Sequence, residues 1–184
     1  MIIGIHGKAG TGKDTFAQML IDAAEGYSFN RLAFADPVYD AVDNIFRINS
    51  RAIKDKEAVI QCWNMSLREM LQKVGTDMVR NIIGDHVWVQ NMDMRVREAV
   101  NPNTIITDVR YPNEANYIKD SGGLLVFIVG PNQRNQTTRN HSSENGLTSD
   151  IADMVVNNNG SLEDLDRIAI NVIQKLCEKN RLNL

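Results

Sequence analysis

Apolar positions along the 184-residue chain change their period several times, and each change marks an element. Ile2–His6 is a short run with the pattern of a buried strand. Lys13–Ala24 follows as a helix with Phe16, Leu20 and Ala23 on one face. Ser28–Phe34 reads as a second strand, and Asp36-Pro37 then offers an N-cap and a first-turn proline for a helix running toward Phe46. Residues 49–61 are charged and irregular. Ser66–Ile83 predicts the strongest helix: Ser66 caps it, Glu69 completes a capping box, and Leu67, Met70, Leu71, Val74, Met78 and Ile82 form its apolar stripe. A further helix opens at Asp85 or His86 and carries Trp88, Met92, Val96 and Ala99.

Past the turn at Asn101-Pro102-Asn103, Thr104–Thr107 predicts a buried strand ending at Asp108. Pro112–Ser121 is a helix stopped by Gly122-Gly123. Leu124–Val129 is a continuous apolar run, as expected of a parallel strand covered on both faces. Residues 131–150 are polar and predict a mobile flap. Met154–Val156 is a short last strand and Asn157–Gly160 a turn. Ser161 then caps a helix whose Leu162, Leu165, Ile168, Ala169, Val172 and Leu176 face the core. Without repeats or a linker, the pattern predicts one α/β domain over residues 1–184, a doubly wound parallel sheet with helices on both faces. Two insertions interrupt it, at about 36–100 and about 131–150.

Composition narrows the field. A formal charge of −3 gives no broad basic field for nucleic acid, so an anion site must be built locally. Cys62 and Cys177 have no metal-ligand partners nearby, which predicts a reduced, cytoplasmic chain. No signal peptide and no membrane-spanning stretch is read. The sequence leaves a homodimer open.

Chemistry concentrates in Gly7-Lys8-Ala9-Gly10-Thr11-Gly12-Lys13-Asp14-Thr15, between a predicted strand and a predicted helix. Gly7, Ala9, Gly10, Thr11 and Gly12 allow a tight curl that presents backbone N–H groups to phosphate oxygens. Lys13 reaches the β- and γ-phosphates, and the helix N-terminus faces the anion. This is a P-loop and predicts ATP binding. The pattern calls for Ser or Thr after the lysine as a Mg²⁺ ligand, and Asp14 stands there. Asp14 either holds Mg²⁺ through water or supports the first turn of the helix. Thr15 is placed to reach the α-phosphate.

Together with further segments, this loop makes the chain resemble the phage-type deoxynucleoside monophosphate kinases. The segments are Ala35-Asp36-Pro37, Leu71-Gln72-Lys73-Val74-Gly75-Thr76-Asp77, Thr107-Asp108-Val109-Arg110-Tyr111-Pro112-Asn113-Glu114 and His141-Ser142-Ser143-Glu144. The Asn-Gly-Ser turn before the last helix completes the set. The resemblance implies a P-loop kinase that moves the γ-phosphoryl group of ATP, with Mg²⁺, onto a deoxynucleoside monophosphate in the cytoplasm of a phage host. It implies a helical acceptor-binding insertion and a lid.

Arg68, Gln72, Thr76 and Arg80 recur at every fourth position and line a polar flank about 18 Å long. The resemblance implies Arg68 or Arg80 on the acceptor phosphate and Gln72 or Thr76 near its base; otherwise the flank is a solvated face. Asp108 ends a strand where open α/β sheets bind ligands and is placed to orient Mg²⁺-bound water. Arg110 resembles an Asp-x-Arg arrangement that holds the acceptor phosphate bidentately. Glu114 either contacts the acceptor or supports the first turn of its helix. Asp36 serves the acceptor sugar or base, or caps its helix. In the flap, Arg134 and Arg139 resemble lid arginines, Glu144 occupies a family position, and His141 reads as structural. Asn158, Asn159 and Gly160 stand where related kinases pass a loop across adenine. Phosphomevalonate and dephospho-coenzyme A are the alternative acceptors, and a nucleotide-binding switch or ATPase is the alternative outside the kinases. The lack of an Asn-Lys-x-Asp guanine reader and the Val after Asp108 speak against the switch.

Overall fold

The computed structural model describes residues 1–130 and 147–181, with side chains of the last helix up to Leu176. The chain forms two compact units: unit 1 comprises Met1–Leu32 and Ala99–Leu184, and unit 2 comprises Ala33–Glu98.

Unit 1 is built on a five-stranded parallel sheet of β1 (Ile2–His6), β2 (Phe29–Leu32), β5 (Asn103–Val109), β6 (Leu124–Val129) and β7 (Met154–Asn157). The spatial order is β2-β5-β1-β6-β7, which places β1 at the centre. Parallel neighbours need crossovers: α1 (Lys13–Ala23) lies between β1 and β2 and α5 (Pro112–Asp120) between β5 and β6, while α6 (Leu162–Arg181) follows β7. On one face Phe16, Ala17 and Leu20 of α1 and Leu165, Ala169 and Val172 of α6 join Ile3, Ile5, Ile105, Val126 and Ile128 in a single core. On the other face α5 fits against β1 because Gly4 has no side chain: a Cβ there would collide with Ile118. The doubly wound expectation holds.

Register explains where the strands deliver their ends. His6 stands opposite Phe127 of β6 and opposite Val109 of β5. Between Gly4↔Ile106 and His6↔Val109 the β5 strand contains one extra residue, a bulge across Thr107-Asp108. A bulge bends its strand and re-aims the side chains that follow. β5 therefore runs one residue past Asp108, where the sequence pattern had it stop.

Unit 2 contains α2 (Asp36–Phe46), a 3₁₀ turn at Ser50–Ala52, an antiparallel pair β3 (Val59–Ile60) and β4 (Met65–Ser66), α3 (Leu67–Gln72) and α4 (Val87–Glu98). Its core is Val42, Leu67, Met70 and Val74, with Val38, Phe46, Ile53 and Met65 packed around them. The capping box at Ser66 forms as expected: the Glu69 N–H donates to Ser66 Oγ at 3.2 Å and the Ser66 N–H to Glu69 Oε2 at 2.7 Å.

Several expectations are corrected. The helix after Ser66 is α only to Gln72 and continues as a π-helix over Lys73–Ile83. A π turn closes at i→i+5, so Val79, five residues after Val74, returns to the buried face. Val79 is 7% exposed, whereas Met78 and Ile82, placed in the stripe by α periodicity, are 42% and 78% exposed. Two contacts accompany the change. Trp88 Nε1 on α4 donates to the Gly75 carbonyl at 2.9 Å. Gly75 also lets α2 approach, since a Cβ there would sit 3.0 Å from Val38 Cγ1. Asp36 is not the N-cap of α2: Ala35 is, and the Asp36 carboxylate reaches back to accept the Ala33 N–H at 3.0 Å. The irregular stretch 49–61 contributes the 3₁₀ turn and β3. In α6, Leu162 is exposed and Ile173 takes a core position instead.

The π spacing is testable by stability. Val79→Ala is expected to cost about 1.5–3 kcal/mol in urea unfolding, because it removes buried methyl groups and leaves a void. Ile82→Ala is expected to change stability by less than about 0.5 kcal/mol. A continuous α-helix predicts no such contrast in favour of Val79.

Candidate active site

The loop after β1 can curl only because its glycines admit close backbone approach. A Cβ at Gly7 would lie 2.6 Å from the Ile128 carbonyl oxygen and 2.8 Å from Thr11 Oγ1. Gly10 and Gly12 have φ of +76° and +91°, a region that side chains disfavour. A Cβ at Gly12 would also meet Asn158 Nδ2 at 2.5 Å. Thr11 is buried and locks the turn, its hydroxyl donating to the Lys8 carbonyl at 2.9 Å. Gly12 is the N-cap of α1 and provides no side-chain cap, so the first turn of α1 keeps its partial positive charge for an anion.

Lys13 begins α1 and curls back over the loop, its Nζ donating to the Lys8 carbonyl at 2.8 Å. Asp14, in the same first turn, is ion-paired with Arg31 of β2. Both partners are open to water, with Asp14 78% and Arg31 40% exposed. Gly12 is the N-cap, and Asp14 is the acidic residue of the first turn, where it also engages a cation. Thr15 is exposed beside it. Asn158, at the end of β7, ties the loop to the far side of the sheet by donating from Nδ2 to the Thr11 carbonyl at 3.0 Å. Gly160 follows at the entrance to α6, where a Cβ would crowd Asp164 Oδ2 at 2.6 Å. That same oxygen accepts the Ser161 N–H at 3.0 Å.

The end of β5 carries the second group of expected residues. Asp108 is half-buried and Arg110 exposed. Glu114 is 2% exposed, and its Oε2 accepts the N–H groups of Arg110 at 2.8 Å and Tyr111 at 3.1 Å. Its carboxylate thus holds the turn before α5, as the supporting role expects. His6, which sequence reasoning passed over, is 7% exposed, and its Nδ1 lies 2.6 Å from the Val109 carbonyl. Burial holds the imidazole below the usual histidine range. The Val109 hydrogen bond opposes that shift, the Lys13 charge adds to it, a Leu147 backbone hydrogen bond opposes it and the Arg110 charge adds to it.

In unit 2 the expected acceptor residues are engaged in different ways. Asp36 Oδ2 accepts from Arg95 Nη2 at 2.9 Å, and Arg95 Nη1 donates to the Ala33 carbonyl at 2.9 Å. Arg51 lies between three carboxylates of α2: Asp40 at 2.8 Å, Asp43 at 3.7 Å and Asp36 at 4.0 Å. The Asp40 hydrogen bond raises the Arg51 pKa most, and burial opposes it. Arg68 is exposed and ion-paired with Glu57. Gln72 is exposed, while Thr76 and Arg80 are half-buried. Because the π-helix begins after Gln72, the four do not share one row. Arg31, Arg51 and Arg95 were not singled out from sequence; each sits apart from any motif, and only folding brings it to its carboxylate. Arg134, Arg139, His141 and Glu144 lie outside the described residues.

No group of three or more His, Cys, Asp or Glu able to hold a metal occurs among the described residues. Two carboxylates belong to the expected set: Asp14 in the first turn of α1, and Asp108 near the end of β5, the strand paired with β1. That is the sparse oxygen donor set with which proteins hold Mg²⁺ beside phosphates, leaving several waters in place.

The comparisons with known proteins agree with this geometry. The family model for deoxynucleotide monophosphate kinase matches residues 43–168. That span starts after the phosphate loop, so the match does not rest on a motif shared by many nucleotide-binding proteins. A protein of Acanthamoeba polyphaga mimivirus that carries the same name provisionally is 32% identical, over 98% of this chain and 100% of its own length. The deoxynucleoside-5'-monophosphate kinase of Escherichia phage T5 is 24% identical, over 80% of this chain and 85% of its own. Among solved structures, dephospho-CoA kinase from Campylobacter jejuni aligns with a TM-score of 0.53 at 13% identity, covering 97% of this chain and 98% of that one. That is a likeness of fold, the P-loop kinase fold, and no more. With the family model spanning well over half of the sequence and a viral relative aligned along its whole length, the chain belongs to the deoxynucleotide monophosphate kinase family.

Proposed function

We propose that this chain transfers the γ-phosphoryl group of ATP to a deoxynucleoside monophosphate, giving the diphosphate and ADP, and that the residues below carry out the transfer. The observation that carries the reading is a phosphate loop, closed by glycines at the N-terminus of α1, in a chain of this family. The family supplies the reaction; the loop supplies a place for the ATP phosphates.

Phosphoryl transfer passes through a loose, charge-rich transition state, so the protein's work is positioning and electrostatic. Backbone N–H groups of residues 9–15 cradle the β- and γ-phosphates, with Thr15 toward the α-phosphate. Lys13 exchanges the Lys8 carbonyl for a phosphate oxygen, a stronger charge-assisted bond. Asp14 and Asp108 fit a Mg²⁺ ion held through water; when bound, it neutralises charge on the β- and γ-phosphates. Asp14 must then share its carboxylate with Arg31. Asn158 and Gly160 serve the adenine end, and the Asn158 bond to Thr11 supports a role in shaping the loop.

Arg110 grips the acceptor phosphate, supported by its exposure and by the fixed backbone from which it projects. Glu114 acts as a positioning residue for it. In unit 2, Arg68 or Arg80 serves the acceptor phosphate and Gln72 or Thr76 its base. Asp36 serves the sugar or base together with Arg95. Arg134, Arg139 and Glu144 are assigned to the lid on the resemblance of their segment alone. The reaction is placed in the cytoplasm, that of the host for a phage-encoded enzyme. No helix among the described residues is long and apolar enough to cross a membrane.

The direct test is ADP release from ATP and Mg²⁺ with each deoxy- and ribonucleoside monophosphate in turn. Phosphorylation of one or more deoxy acceptors is expected; activity only on phosphomevalonate or dephospho-coenzyme A removes the acceptor assignment. Lys13→Ala should lower kcat by about a hundredfold or more while far-ultraviolet circular dichroism stays unchanged. Asp14→Ala should raise the Mg²⁺ concentration needed for half-maximal rate; an unchanged titration assigns Asp14 to Arg31 alone. Arg110→Ala should reduce kcat/KM for every accepted monophosphate by a similar factor, equivalent to about 1.5–3 kcal/mol. ATP affinity, measured by calorimetry, should stay near the wild-type value.

A further inference from the structure

We propose that His6 is a positioning residue for the acceptor phosphate: its imidazole holds one end of the peptide group from which Arg110 departs. The proposal rests on the reading of Arg110 given above.

The Val109 carbonyl and the Arg110 N–H belong to one planar peptide unit. The carbonyl lies 2.6 Å from His6 Nδ1, and the N–H donates to Glu114 Oε2 at 2.8 Å. Both polar atoms of that unit are therefore held by side chains, and both side chains are buried, His6 at 7% and Glu114 at 2% exposure. A carbonyl can only accept, so Nδ1 carries the proton. The ring packs against Phe127, whose centroid lies 5.0 Å away at an interplanar angle of 34°.

The position needs such a clamp. Val109 ends β5, immediately after the bulge at Thr107-Asp108, where the ladder is locally broken. Without side-chain bonds, the peptide that follows would be free to rotate, and rotation would swing the Cα–Cβ direction of Arg110. A bidentate grip on a phosphate tolerates little misalignment. A leucine at residue 6 would pack on Phe127 but leave the Val109 carbonyl buried without this donor, so a histidine does something that core packing does not require.

The test compares His6→Leu, which keeps the packing and removes the donor, with His6→Asn, which restores an N–H of similar reach. His6→Leu is expected to lower kcat/KM for the best accepted deoxynucleoside monophosphate about tenfold to a hundredfold, with ATP affinity unchanged. His6→Asn should recover most of that loss. In an Arg110→Ala background, His6→Leu should add little, because the group it positions is gone. Three results overturn the inference: wild-type kcat/KM in His6→Leu, a parallel loss of ATP affinity, or an undiminished effect of His6→Leu in the Arg110→Ala background. Wild-type kcat/KM in Arg110→Ala itself overturns instead the acceptor reading on which the proposal stands. Should His6→Leu fail to fold, ¹⁵N-resolved imidazole spectra of the wild-type protein decide. A slowly exchanging proton on Nδ1 supports the clamp, and its absence overturns it.

Discussion

Close backbone approach along β1 and the loop after it is the constraint on which unit 1 depends. At Gly4 a missing side chain lets α5 settle on the sheet, and at Gly7 it lets the loop pass under the Ile128 carbonyl. At Gly12 it admits both the left-handed turn and the Asn158 side chain. These positions lie within nine residues of chain, at the centre of the sheet, so one strand and its loop determine where α1, α5, β6 and the β7–α6 turn must sit. An anion site made from backbone needs this, because only a tightly curled main chain brings several N–H groups to one point.

Within each unit, charge is arranged in pairs. Asp14 meets Arg31, Asp36 meets Arg95, and Arg51 stands among Asp36, Asp40 and Asp43. Most of these groups are partly exposed, so water and salt screen them, and such pairs contribute little to stability. What they do is hold long side chains in defined places. Glu114 differs in kind. Buried and bonded to backbone N–H groups, it belongs to the architecture of the β5–α5 turn.

How much of this can be read from the sequence varies with the physics. The inner strands and α1 follow from period and composition because burial on both faces leaves a plain apolar run, as in Leu124–Val129. The phosphate loop is readable because its glycines and lysine are contiguous. Met78 and Ile82 were misplaced because a stripe drawn at α periodicity cannot register a change of helix type, and only Gly75 within that run hinted at one. His6, Arg31 and Arg95 escaped notice because their partners lie 103, 17 and 59 residues away. No local pattern records a contact of that kind. The bulge in β5 is equally invisible, since it concerns the register of two strands and not the content of either.

The π-helix of unit 2 decides how this segment would absorb a change of length. Each π turn is an α turn that has absorbed about one more residue without breaking the helix. Val74 and Val79, buried together at a spacing of five, would be buried together at a spacing of four if one intervening residue were lost. Loss of one residue here would keep the hydrophobic pair and, with Val79 still facing the core, the facing of the residues that follow it. A one-residue change of length between Val74 and Val79 is thus absorbed as a local change of helix type, without turning the buried face from its core.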